Sequence, residues 1–415
     1  MKYTTGLLLL FLFILACSKS DPLVDPVPDP GEDGNGVTED PITFTPCEDG
    51  FAGTYPCNGY DLIGRITLQD MGAIAGNDIW GWTDPLTARE YALVGVDNGT
   101  AFVDITDEEQ LVYLGKLPTA TEASTWRDLK VYENYVFIVS EAENHGIQVF
   151  DLNRLRNVDN PPVNFTADAR YTGFGNAHNI AIIPGNAMVY AVGTARNDLY
   201  NGGVHFVNIS DPLNPVSAGG YGEQGYMHDV QVVNYTGPDP DYQGREILIG
   251  ANEDRLVIAD VTDKDSPVTI STLGYPSIAY THQGWFSEDQ KFFILGDELD
   301  EINFGFNSRT LVFDFSDLDQ PSLHMTYTGP STAIDHNGYV LGDLYFLANY
   351  TAGLRVLDIS GIENTEVSEV GFFDTYPANN TTVFNGLWSV YPYFESGKLV
   401  LGDIDSGLFV VQKSP

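Results

Sequence analysis

From about Tyr60 onward the chain repeats one texture. Short runs of Val, Ile, Phe and Tyr alternate with clusters of Gly, Asn, Asp and Pro, and no 3.6-residue periodicity is sustained. That pattern predicts strands joined by turns and a nearly all-β fold. The runs also align with one another: "AGNDIWGWT", "STWRDLKVY", "GNAHNIAII", "GYMHDVQVV", "AYTHQGWFS", "AIDHNGYVL" and "VFNGLWSVY" share a pattern. Their equivalent positions are Asn77, Arg127, His178, His228, His282, His336 and Gly386, with successive gaps of 50, 51, 50, 54, 54 and 50 residues. A fixed period of that size marks a repeat architecture.

Inside each repeat a second strand follows ("EYALVG", "YVFIVS", "REILIG", "KFFILG"), then a third ("TAFVDIT", "RLVIADVT", "TLVFDFS") and a fourth ("LVYLGKL", "VTISTLG", "LHMTYTG"). The seventh repeat stops at Pro415 after its third strand, and "YDLIGRITL" near the beginning matches the missing fourth. The expectation is an all-β, seven-bladed β-propeller of four-stranded blades, closed by an N-terminal strand that completes the last blade. Closure removes the open edges of a linear stack. Two β-sandwiches in tandem would leave the donated strand unexplained.

The first residues differ in kind. "MKYTTGLLLLFLFILACSKSD" has one Lys and an apolar run from Leu7 to Ala16, too short for a stable bilayer span, so residues 1–16 read as a signal peptide. Its end, "ILAC", resembles a bacterial lipobox, which would make Cys17 the lipidated N-terminus and acyl chains the membrane hold. An ordinary cleaved signal, with Cys17 discarded, is the other reading. From 17 to 46 the chain is rich in Pro, Asp and Gly and reads as an extended, self-repelling tether, with the propeller occupying 47–415. Cys47 and Cys57 are expected to close a small disulfide loop, the weaker reading being metal binding by two lone thiolates.

Charge narrows the partners. Fifty-eight acidic against 19 basic residues give a formal charge of −39, which argues against nucleic acid and anionic lipid surfaces. The expected partner is an extracellular protein or glycan, met by a monomer held on the periplasmic or cell-surface side of an outer membrane.

The third-strand pattern "LVIADVT" and "LRVLDIS" is similar to the LVIVD repeat of bacterial and archaeal surface proteins. More closely, "WRDLKVYENYVFIVSEAENHGIQVFDL", "THQGWFSEDQKFFILGDELDE" and "FNGLWSVYPYFESGKLVLGDIDSGLFVV" resemble the choice-of-anchor B family, over roughly Cys47 to Pro415. The resemblance implies an exported propeller carried on a membrane or wall anchor, here the lipid on Cys17. It implies no established catalytic activity.

Candidate chemistry gathers on one face. In a propeller the loop before each first strand shares a face with the loop between the second and third, so His178, His228, His282 and His336 occupy matching points on four adjacent blades. Around them the same logic places Arg127, Asp97, Glu141, Glu143, His145, Asp229, Glu253, Asp254, Asp297, Glu298, Asp300, Glu301, Asp335, Asp403 and Asp405. Three readings stay open. Imidazoles with carboxylates are the ligand set of Zn, Fe, Mn or Cu, so the four His could serve a metal-dependent enzyme, and acidic loops could hold Ca. Alternatively the imidazoles hydrogen-bond blade to blade, since each shares strand parity with the next core position, Ile180, Val230, Gly284 or Gly338. The third reading is a recognition rim, and for function the expectation is that this histidine-bearing, acidic face binds the extracellular protein or glycan, with the metal-dependent enzyme as the alternative. The series does not include Asp335, which singles it out.

The recurring third-strand Asp104, Asp151, Asp260, Asp314 and Asp358 precede turns and are expected to cap them. Among Trp80, Trp82, Trp126, Trp285 and Trp388, any left exposed at the channel is a candidate for stacking on sugars. No Ser-His-Asp order, phosphate loop, dinucleotide fingerprint or HExxH motif supports an enzyme.

Overall fold

The computed structural model describes residues 44–415. The expected signal peptide, Cys17 and most of the expected tether lie outside the described residues. The rest forms seven sheets, antiparallel but for one short edge strand, each one blade of a β-propeller. Their innermost strands are Gly76–Thr83, Arg127–Tyr132, Asn179–Ile182, Asp229–Asn234, Thr281–Phe286, Gly338–Leu341 and Leu387–Tyr391, here called blades 1 to 7. Each inner strand neighbours the next around the ring, and blade 7 returns to blade 1.

Tyr60–Ile66 closes the ring by pairing antiparallel with Gly407–Lys413 as the outermost strand of blade 7. The core follows from the two-residue period. Side chains of one strand alternate between two neighbouring blades: in blade 4, Leu248 packs toward blade 3, whereas Ile247 and Ile249 pack toward blade 5. The main apolar clusters accordingly sit between adjacent blades, which is why the second and third strands are continuous hydrophobic runs.

Two blades exceed four strands. Val163–Asn164 pairs parallel with Val112–Pro118 at the outer edge of blade 1. Gly115 permits this approach, because a Cβ there would stand 1.9 Å from the Val163 carbonyl oxygen. In blade 6 a hairpin, Phe51–Ala52 with Tyr55–Asn58, adds two strands beyond Glu366–Phe373. A disulfide between Cys47 and Cys57 pins that hairpin. The recurring third-strand Asp do cap turns: Asp104, Asp151, Asp260, Asp314 and Asp358 each accept the N–H two residues on, at 2.8–3.0 Å.

Candidate functional site

The inner strands sort their residues by parity. Alternation is clearest in blade 2, where Asp128 and Lys130 border the channel and Leu129 packs between blades.

At the repeat position the imidazoles form an arc. Ring centroids stand 4.1 Å apart from His178 to His228, 4.5 Å to His282 and 4.4 Å to His336, with Trp388 another 4.7 Å along. Two of them bond the next blade: His228 Nδ1 lies 3.3 Å from the His282 carbonyl, and His336 Nδ1 lies 2.6 Å from that of Trp388. His178 instead meets Glu141 at 2.5 Å. The four rings therefore do not aim their nitrogens at one point. Burial, with neighbouring imidazoles, holds His282 and His336 each down to about 3, and His228 well below its usual value. For His178 burial opposes the charged form, but the bond and charge of Glu141 outweigh it and raise the pKa.

The acidic residues around the arc divide by task. Asp297 is fully buried and accepts the N–H groups of Ala279 and Tyr280 and the Tyr275 hydroxyl, so it shapes the loop into blade 5. Asp97 does the same in blade 1 through the Ile74 N–H. Asp403 accepts from Asp405 and Ser406, with burial raising it to about 7, and Asp405 in turn accepts the Gly386 N–H. Glu253 pairs with Arg196, and Asp254 with Arg255, both toward solvent. Arg127 is buried and reaches the Val96 carbonyl, Thr119 and His145, a contact between blades 1 and 2.

Two acidic groupings stand apart. Glu298 accepts the Tyr350 hydroxyl at 2.8 Å, and its two oxygens face His282 Nε2 and His336 Nε2, each at 3.6 Å. Asp335 packs with Asp300 and Glu301, all three buried, in a space kept by Gly296, whose Cβ would lie 2.4 Å from Asp335 Oδ2. "GDELDEINFG" is partly helical there, Asp300–Phe304, and Arg309 pairs with Asp300 at 2.6 Å. Burial and mutual repulsion push Asp335 well up and Glu301 to about 8.

On the axial side of the arc the channel nearly closes, leaving a void of about 20 Å³ lined by Asp78, Asp128, Asp229 and the histidines. Lys130 reaches across this floor to Asp128 at 2.5 Å and Asp78 at 3.3 Å. Asp229 accepts from the Asn179 amide at 2.6 Å, and burial raises it to about 7.

Beyond the floor the channel widens into a cavity of about 640 Å³ bordered by all seven inner strands. It reaches the exposed turn residues Thr83, Pro184, Asn234 and Glu288, so it opens on the face opposite the histidines. Its walls are unlike. Blades 1, 5, 6 and 7 give an aromatic wall of Trp80, Trp285, Tyr339, Tyr391 and Tyr393, whose rings touch edge to face or tilted. Gly81 makes room for Tyr391, since a Cβ would stand 2.2 Å from its ring. Blades 2, 3 and 4 give the polar groups of Lys130, Asn179, Asp229 and Gln231 set among aliphatic side chains such as Val131, Ile182 and Val232. Of the five tryptophans, only Trp80, Trp82 and Trp285 border this cavity, and Trp82 is itself buried against Tyr91 between blades.

The repeat alignment does not single out Lys130, Asp78, Asp128 or the tyrosines. The signal that finds most of them is parity: Asp78 and Asp128 stand one position beyond the repeat residue, Lys130 and Tyr339 three and Tyr391 five, on the same inner strands, whereas Tyr393 lies just past its strand. No known family model matches the chain, and no curated protein matches it.

Proposed function

We propose that this protein is an extracellular binding module of the choice-of-anchor B kind, held at a membrane through Cys17, whose central channel takes the end of a glycan chain. The observation that carries the reading is the two-walled cavity. Sugar rings bury their apolar C–H faces on aromatic side chains and leave hydroxyls for polar partners, and Trp80 and Trp285 both border the channel and are only partly buried. Across from them stand the Asn179 and Gln231 amides and the Asp229 carboxyl, while the Lys130 ammonium lies over the Trp80 ring, 4.5 Å from its centroid. An acidic exterior of this charge repels anionic polymers, which favours neutral or cationic saccharides.

The test is retention of a glycan panel and a surface-protein panel on the purified protein, repeated with Trp80→Ala and Trp285→Ala. Each variant is expected to weaken binding of a retained oligosaccharide about tenfold, the effect of losing roughly 1.4 kcal/mol of stacking. Retention of proteins alone overturns the glycan class. Binding that survives both substitutions overturns the location.

A further inference from the structure

The pair of 3.6 Å contacts at Glu298 has no ordinary explanation as hydrogen bonding. His336 Nδ1 lies 2.6 Å from the Trp388 carbonyl, which can only accept, so that nitrogen carries a proton and Nε2 is the atom turned to Glu298. At 3.6 Å the separation is too long for an N–H···O bond. His282 Nε2 stands at the same 3.6 Å from the other carboxylate oxygen. Two buried ring nitrogens therefore face the two oxygens of one partly exposed carboxylate with a gap between them.

That gap has the dimensions of an ion. Ligand atoms about 2.1 Å from a tetrahedral metal stand about 3.4 Å from one another. The three side chains can place one ligand atom each within 4.8 Å of the others, a grouping that includes neither His178 nor His228. The surroundings fit as well. A backbone carbonyl on the far nitrogen orients His336, and the Tyr350 hydroxyl donates to Glu298 Oε1 at 2.8 Å, as outer partners of ligating histidines and carboxylates do. We propose that His282, His336 and Glu298 form a three-ligand site for a divalent first-row transition ion, with Tyr350 fixing the carboxylate. Two imidazoles and one carboxylate select such ions over Ca²⁺ or Mg²⁺, which prefer all-oxygen sets. The site lies behind the arc from the glycan cavity and does not depend on the binding reading.

The full chain is stripped with a chelator and titrated with Zn²⁺ by calorimetry and with Co²⁺ by visible absorption. The expected result is one ion per chain with a ligand-field spectrum. Glu298→Gln should weaken affinity at least tenfold with the melting temperature of the metal-free protein retained, and Tyr350→Phe should weaken it about tenfold while keeping the spectrum. His178→Ala and Asp335→Asn should leave it unchanged. Absence of stoichiometric binding overturns the proposal. So does unaltered binding by Glu298→Gln, loss in His178→Ala, which would mean a four-histidine site, or loss in Asp335→Asn alone, which would move the ion to the buried acids.

Discussion

His145 is an imidazole held neutral by its surroundings. It is fully buried, its Nε2 faces Arg127 and Gln148, its Nδ1 faces the Gly146 carbonyl, and Arg170 donates to its backbone oxygen. Burial, with the Arg127 charge, lowers it to about 4. A histidine near 6.5 when unfolded and near 4 when folded binds more protons unfolded, so stability is full above about pH 6.5 and falls as pH drops through 4. The loss amounts to about 3 kcal/mol. Because the depressed His228, His282 and His336 add to the decline in any variant that keeps them, denaturant titrations from pH 7 to 4 should show a fall steeper by about that amount in the native protein than in His145→Gln; equal slopes would contradict the assignment. At this scale the sequence was only partly legible. The 50-residue period exposes His178, His228, His282 and His336, but whether an imidazole meets a carbonyl, as His336 does, or a carboxylate, as His178 does, depends on loops far along the chain. Glu298 falls in a visibly acidic loop, yet nothing in its spacing shows that it bridges His282 and His336 rather than capping a turn as Asp297 does.

The strand is the element in which the sequence speaks most plainly. Inner, second and third strands announce themselves by apolar runs, and the donated strand Tyr60–Ile66 is recognisable by matching a pattern whose partner is missing at the other end. Shorter elements are not legible, because two-residue strands such as Val163–Asn164 carry no periodicity and form only where Gly115 lets them approach. The hairpin added to blade 6 belongs to this class, and it rests on the Cys47–Cys57 disulfide. Because that disulfide closes a short loop at a sheet margin, replacing both cysteines with serine should cost about 2 to 3 kcal/mol. The near-ultraviolet circular dichroism of the ring should stay unchanged. Collapse of the whole tertiary spectrum would show that the hairpin, and not the Tyr60–Ile66 strand, completes closure.

At the scale of the molecule, seven similar blades make a ring whose two faces do different things. Around the axis, histidines and buried acids close one end, and the cavity opens at the other between an aromatic wall and one that mixes polar and aliphatic groups. Symmetry of fold with asymmetry of lining is what a repeat allows, since each blade fixes a position and leaves its side chain free to vary. The most direct measurement is a crystal structure of the protein soaked with the glycan it retains best. A sugar ring lying against Trp80 or Trp285, with its hydroxyls toward Asn179, Asp229 or Gln231, is the result expected. A sugar bound instead among the acidic loops on the histidine face, with the channel cavity left to water, would contradict it.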